Sequence, residues 1–278
     1  QLLNNKGVVI ASSRQNMVGR DRSHWPVVTR ALQGTSSSKV DIVQPSDLSA
    51  MGTDLAEQAE LRLLPTENAA SSNQTIELRG MAIHSAAPLL DDQGCIIGAL
   101  EGGLLLNRNL AFVDSINDLV YPPDGSPDGV LGTATLFLDD IRIATNVRMF
   151  RGERALGTRV STAVRDRVLK SGHVWLGRAF VVSDWYISGY RPITDSFGRP
   201  AGMLYVGFLE EPFVNAKRTI STALIAITAL FGLAGSLLML RLARGIFRPV
   251  ERMNLTMSAI EHGDLSARTG ADHAEDLA

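Results

Sequence analysis

"PLLDDQGCIIG" at 88–98 and "PITDSFGRPAG" at 192–202 decide the fold, because they are one pattern written twice. Pro88, Asp91, Gly94 and Gly98 each stand 104 positions before Pro192, Asp195, Gly198 and Gly202. Proline ends one strand, Asp and Gly turn the chain, and the apolar runs "CIIGALEGGLLL" and "AGMLYVGFL" return as the next strand. Each copy therefore predicts a β-hairpin.

Working upstream, "GVVIASS" at 7–13 parallels "IRIATNV" at 141–147, and Gly19 and Gly34 lie 138 positions before Gly157 and Gly172. Each copy reads as strand, irregular turn, short helix ended by Gly34 or Gly172, then a meander of strands. The expected class is α+β, with two modules, each an antiparallel sheet flanked by helices, over 1–120 and 121–213. The copies differ in one place: Gly34 to Ile83 spans 49 residues, Gly172 to the matching Ile187 only 15. The extra stretch in the first copy is acidic. Leu48, Met51, Leu55, Ala59 and Leu63 recur at helical spacing within it and predict one amphipathic helix.

Residues 219–240 carry no charge and are long enough, as a helix, to cross a bilayer core. Arg241, Arg244, Arg248 and Arg252 follow, against Lys217 and Arg218 before it, so the positive-inside rule puts 241–278 in the cytoplasm and 1–218 outside. Export of so large an outer region predicts a further transmembrane helix upstream of Gln1. Gly232 and Ser236 form a small-xxx-small pair that permits close helix packing. Beyond the span, Ile246, Val250, Met253, Met257 and Ile260 are spaced 4, 3, 4, 3 like the seam of a coiled coil, and Gly263 ends that helix.

Composition narrows the function. Twenty-seven basic against 29 acidic residues give a net charge of −2, which argues against wholesale nucleic-acid binding. Cys95 is the single cysteine, so no intrachain disulfide and no cysteine-based metal cluster is expected. No nucleotide-binding, metalloprotease or nucleophile-elbow motif occurs, and the five histidines never fall at metal-ligand spacing. Neither a catalytic residue nor a metal or cofactor is expected.

Span, then "RPVERM", then a heptad helix closing in "EHGDL", resembles a HAMP linker, the four-helix relay of bacterial sensor kinases and chemoreceptors. Pro249 and Glu251 match its Pro-x-Glu signature, and Gly263, Asp264 and Leu265 match the start of its connector; the resemblance implies that these residues relay the signal. "TLFLDDIRIATNV", "RALGTRV" and "YRPITDSFGRPAGMLYVG" resemble extracellular Cache domains, PAS-like sensor folds that occur in tandem ahead of a membrane span. Together the two resemblances imply the input half of a bacterial transmembrane receptor, a homodimer of sensor histidine kinase type. A chemoreceptor, a cyclic-di-GMP enzyme or a membrane-anchored binding protein without output are the alternatives, and Ala278 comes before the residues that would decide.

A small ligand, a carboxylate or an amino acid, is expected in the first module. Ala82, His84 and Ala86 stand where the second copy has Tyr186, Ser188 and Tyr190, and alternate residues of a strand share one face. Two methyl groups around an imidazole leave room that two phenol rings fill. Arg79, just upstream, is the expected carboxylate partner. The rival site is the second module, where Arg178, Asp184, Tyr186 and Tyr190 would clamp an amine or a carboxylate.

Overall fold

The computed structural model describes residues 1–122, 132–149 and 152–262, and the chain divides into two units, Gln1–Pro212 and Phe213–Ala278. The first unit begins with β1 (Leu2–Asn4), β2 (Val9–Ala11), α1 (Pro26–Leu32) and β3 (Ser37–Val43). The insert follows as α2 (Pro45–Met51), α3 (Thr53–Ala59) and a short ribbon of β4 (Leu61–Arg62) with β5 (Ile76–Glu77). Then come β6 (Gly80–Leu90), β7 (Ile96–Leu105) and α4 (Leu110–Val120). The remainder is β8 (Gly132–Leu138), β9 (Ile141–Thr145), α5 (Thr162–Arg165) running into a π-helical turn at Asp166–Lys170, β10 (Trp175–Val181), β11 (Asp184–Thr194) and β12 (Pro200–Leu209).

Two five-stranded antiparallel sheets result, ordered β2-β1-β7-β6-β3 and β9-β8-β12-β11-β10. Numbered within each sheet, the order is the same in both, second, first, fifth, fourth, third. The two hairpins also close alike. Asp91 Oδ1 accepts from the amides of Gln93 and Cys95, and Asp195 Oδ1 accepts from those of Phe197 and Arg199, 104 positions on. Gly94 and Gly198 supply the positive φ, 80° and 82°, that the turn needs. Gly98 and Gly202 lie against a neighbouring strand so closely that a Cβ would collide with the carbonyl oxygen of Leu3 or of Phe137.

Each sheet buries an apolar face against its own helix. Proline at the first position of α1 presets the helical φ, and Val27, Val28 and Ala31 then pack on Leu3, Ala86 and Ala99 of the first sheet. In the second, Val164 and Val168 pack on Phe137, Tyr190 and Tyr205. A third cluster, including Met81, Leu136, Leu138 and Ala201, joins the two sheets. At about 1.5–3 kcal/mol per fully buried large apolar side chain, these clusters supply the main term holding the unit together.

The single amphipathic helix expected over 48–63 is two helices. Gly52 separates α2 from α3, and a Cβ there would run into Asp54 and the Arg14 guanidinium that pairs with it at 2.9 Å. Leu63 lies past β4, outside either helix. The buried Asn107 side chain pins the end of α3, donating to the carbonyls of Ala59 and Arg79 and accepting from the Met81 amide.

The second unit is carried by α6 (Glu211–Glu261), 51 residues of unbroken helix, which at 1.5 Å per residue is about 75 Å long. Lys217–Ala243 within it, mean hydropathy 2.3, is long and apolar enough to cross a membrane. Pro249 and Glu251 fall on the helix backbone, but their side chains, and Gly263, Asp264 and Leu265 altogether, lie outside the described residues.

Candidate functional site

His84 sits on the face of β6 turned toward α1, opposite Lys39 of β3 and Gly103 of β7. Two residues along from those partners come Asp41 and Glu101, so a carboxylate flanks the imidazole diagonally on either side. Asp41 Oδ2 lies 2.8 Å from Nδ1 and Glu101 Oε1 lies 2.7 Å from Nε2. All three side chains are buried. Arg22, in the loop before α1, donates twice to the same Glu101 oxygen, at 3.0 and 2.9 Å. Trp25 meets the imidazole edge-on at 5.0 Å between centroids and carries the Arg22 guanidinium over its ring.

Charge and protonation follow from this geometry. Burial pulls the His84 pKa down, but the two carboxylates outweigh it and hold the imidazole above its ordinary value, in favour of the cation. Burial likewise raises Asp41 and Glu101, and the hydrogen bonds from His84, Ser196 and Arg22 more than reverse it, so both are held below the usual carboxylate range. Two carboxylates, one imidazolium and one guanidinium leave the cluster electrically balanced.

The cluster forms one wall of a cavity of about 330 Å³. Leu48, Met51 and Leu55, from the insert helices, and Leu105 give it an apolar side. Ala82 and Gly103 present little or no side chain there, and this is where the room comes from. Among the described residues, three buried polar atoms of cavity-lining residues have no protein partner: Gln1 Oε1 and Glu101 Oε2, acceptors, and Trp25 Nε1, a donor. An uncompensated polar atom out of water is costly, so the cavity suits a small guest that offers donors to the two oxygens and an acceptor to the indole.

Of the six residues expected from sequence to bind a ligand, Arg79, His84, Arg178, Asp184, Tyr186 and Tyr190, His84 alone lines this cavity, together with its strand neighbour Ala82. Arg79 does not reach it; its guanidinium is spent on Glu77, at 2.9 and 2.7 Å, and on Asp139, at 2.8 Å. In the second sheet Tyr186 and Tyr190 share a face, as expected, and are both buried in the core, Tyr190 at 4.8 Å from the Tyr205 ring. Arg178 and Asp184 do not join them. Arg178 pairs with Glu210 and stacks over Trp185 at an open groove, and Asp184 accepts from Ser183 Oγ at 2.7 Å. Sequence reasoning missed Asp41, Glu101, Arg22 and Trp25. Glu101 alone left a trace, as the single charge in the apolar run 95–106.

Residues 104–220 match the family model described as single cache domain 3. No curated protein matches the chain. Among solved structures, the periplasmic domain of Vibrio cholerae LuxQ is 13% identical over 52% of this chain and 55% of its own, with a TM-score of 0.29. The periplasmic sensory domain of the Campylobacter jejuni chemoreceptor Tlp1 is 11% identical, covering 70% of this chain and 59% of its own, TM-score 0.29. The ligand-binding domain of the Pseudomonas aeruginosa amino acid chemoreceptor PctB, in complex with L-Arg, is 11% identical over 69% of this chain and 62% of its own, TM-score 0.27. The chain thus spans somewhat over half the length of these structures. Over 104–220, a stretch that takes in the whole of the second sheet, it is similar to a single Cache domain.

Proposed function

We propose that this chain is the ligand-sensing and membrane-crossing part of a bacterial receptor: two Cache-type modules outside the membrane, α6 as the span, and the start of a HAMP relay inside. The reading rests on one observation above all, a cavity in which a buried carboxylate oxygen and a buried indole N–H both lack a partner. An amino acid supplies both complements, its ammonium for Glu101 and its carboxylate for Trp25, while its side chain meets Leu48, Met51 and Leu55. The matching strand order of the two sheets supports the tandem arrangement, and Lys217–Ala243 supports the span. Output passes to a domain beyond Ala278, a histidine kinase in the first instance and a chemotaxis or cyclic-di-GMP module otherwise. The HAMP relay needs a second chain to complete four helices, so the receptor works as a parallel dimer.

Thermal-shift screening of the chain against amino acids and organic acids tests the choice of cavity, repeated on His84→Ala and Tyr186→Ala. Stabilisation should vanish in His84→Ala and survive in Tyr186→Ala; the opposite pattern would move the site to the second sheet.

A further inference from the structure

The outermost strand of a sheet presents a row of unpaired N–H and C=O groups, a template for pairing with another chain. Of the four such edges in the two large sheets, the chain closes three for itself. β2 is bonded along its outer side by 19–21, β9 by 157–159, and β3 is bridged at Val40 by Asp195 of the β11–β12 turn. β10 is left. Among the described residues its seven positions bond to no backbone but that of β11, apart from the Val181 carbonyl, which accepts from the Ser183 amide. Its own defences are slight: no proline, and a single charge, Arg178, whose guanidinium is held by Glu210 at 2.8 Å and lies over the Trp185 ring.

A groove of about 740 Å³ runs along this edge. Trp175 and Ala179 line it from one face of β10, Arg178 and Phe180 from the other, and a recess that touches both faces of a strand lies at its edge. The other side of the groove is Asn68 of the insert with 161–164, fixed together by the Ala69–Ser161 bridge and by the Thr162 amide, which donates to the Asn68 carbonyl at 2.8 Å. Trp185, 50% exposed, meets the Phe180 ring at 5.7 Å between centroids and extends the apolar lining. The indole N–H of Trp175 adds a donor without a partner. A row of alternating donors and acceptors is complemented by another extended backbone. We propose that this groove docks an extended segment of a partner protein, which adds to β10 as a sixth strand and seats apolar side chains against Phe180 and Trp185. A second copy of the chain fits less well: its β10 brings the same walled groove with it, and pairing the two strands about Arg178 sets guanidinium against guanidinium. The groove is separate from the His84 cavity and does not depend on it.

The full chain in nanodiscs, panned against a phage-displayed library of random peptides, tests the proposal. A selected peptide is then made in two N-methylated forms, at its odd or at its even residues. An added strand turns only one of those sets of amides toward β10, so one form should lose at least about tenfold in affinity by fluorescence anisotropy and the other should keep it. With peptide bound, hydrogen exchange should slow at 175–181 and not at 37–43. Trp185→Ser and Ala163→Arg, both at exposed positions lining the groove, should each weaken binding about tenfold, while His84→Ala leaves it unchanged. A library that yields no binder overturns the proposal, as does affinity that survives both N-methylated forms or is untouched by both groove variants. A dimer seen by light scattering that Ala163→Arg dissolves and no peptide displaces would assign the edge to a second copy and overturn it too.

Discussion

Asp41 and Ser196, 155 residues apart in the chain, meet at a single carboxylate oxygen: Asp41 Oδ1 accepts from the Ser196 amide at 2.9 Å and from its hydroxyl at 2.6 Å. The other oxygen holds His84. One buried carboxylate therefore joins the wall of the cavity in the first sheet to the β11–β12 turn of the second. In the proposed binding mode, a guest that draws on Glu101 would also change the pull on His84 and through it on Asp41, which holds the turn ahead of β12.

Ser196→Ala should destabilise the chain by about 1.5–3 kcal/mol, since the lost bond is to a charged acceptor that stays buried. With Asp41→Asn as the second arm of a double-mutant cycle, a coupling energy of about 0.5–3 kcal/mol is expected in denaturant titration. Strict additivity would mean that the two residues are neighbours only.

Stability should peak in mildly acid solution. His84 is lifted above 6.5, so its contribution is complete below that pH and is lost as pH climbs through the higher folded value. Asp41 and Glu101 are lowered from 3.8 and 4.5, so theirs are complete above those values and are lost as pH falls through the folded ones. Melting temperature should be flat between about pH 4.5 and 6.5 and fall on both sides. In His84→Gln the alkaline fall should disappear and the acid fall should shrink, because Asp41 and Glu101 lose the partner that lowers them.

Trp25→Phe keeps a ring against His84 and removes the indole N–H. Ligand affinity, read by calorimetry on whichever compound the screen returns, should drop about two- to tenfold with little change in melting temperature. An unaltered Kd would mean that the indole nitrogen does not touch the guest.

Gly98→Ala and Gly202→Ala should each cost about 1–3 kcal/mol, because the added methyl meets a backbone carbonyl that cannot rotate away. Gly102→Ala on the same strand, with nothing near its Cβ position, is the control and should cost far less.

Cysteine at Val250 or Met253, oxidised in native membranes, should give disulfide-linked dimers if the seam of the second unit pairs in parallel. Pro249→Ala should change basal or stimulated output without altering ligand affinity, and identical output in the variant would count against the relay.

Short-range patterns were legible in the sequence and long-range meetings were not. Asp91 and Asp195 announce their turns because the partners are two and four residues away, all within one line of text. His84 stood out by comparison, an imidazole and two alanines where the other copy has a serine and two tyrosines. Asp41 and Glu101 did not, because each reaches His84 only when three strands are set in register, and register is a tertiary result. Arg79 misled for the same reason. Its nearness to His84 in sequence is undone by Glu77 and Asp139, which claim it first. In the insert, Gly52 interrupts a periodicity that hydrophobic spacing alone would carry through.

The two turns with the same hydrogen bonds are interchangeable as folding units but not as joints. Where the second copy has Ser196, the first has Asp92. A chimera carrying 91–95 in place of 195–199 would keep its Asp cap and its positive-φ glycine, and so close the hairpin. It would also present a second carboxylate to Asp41 where a hydroxyl now donates. The same turn can thus stand twice in one chain, and one side chain within it makes the second a part that fits in one place only.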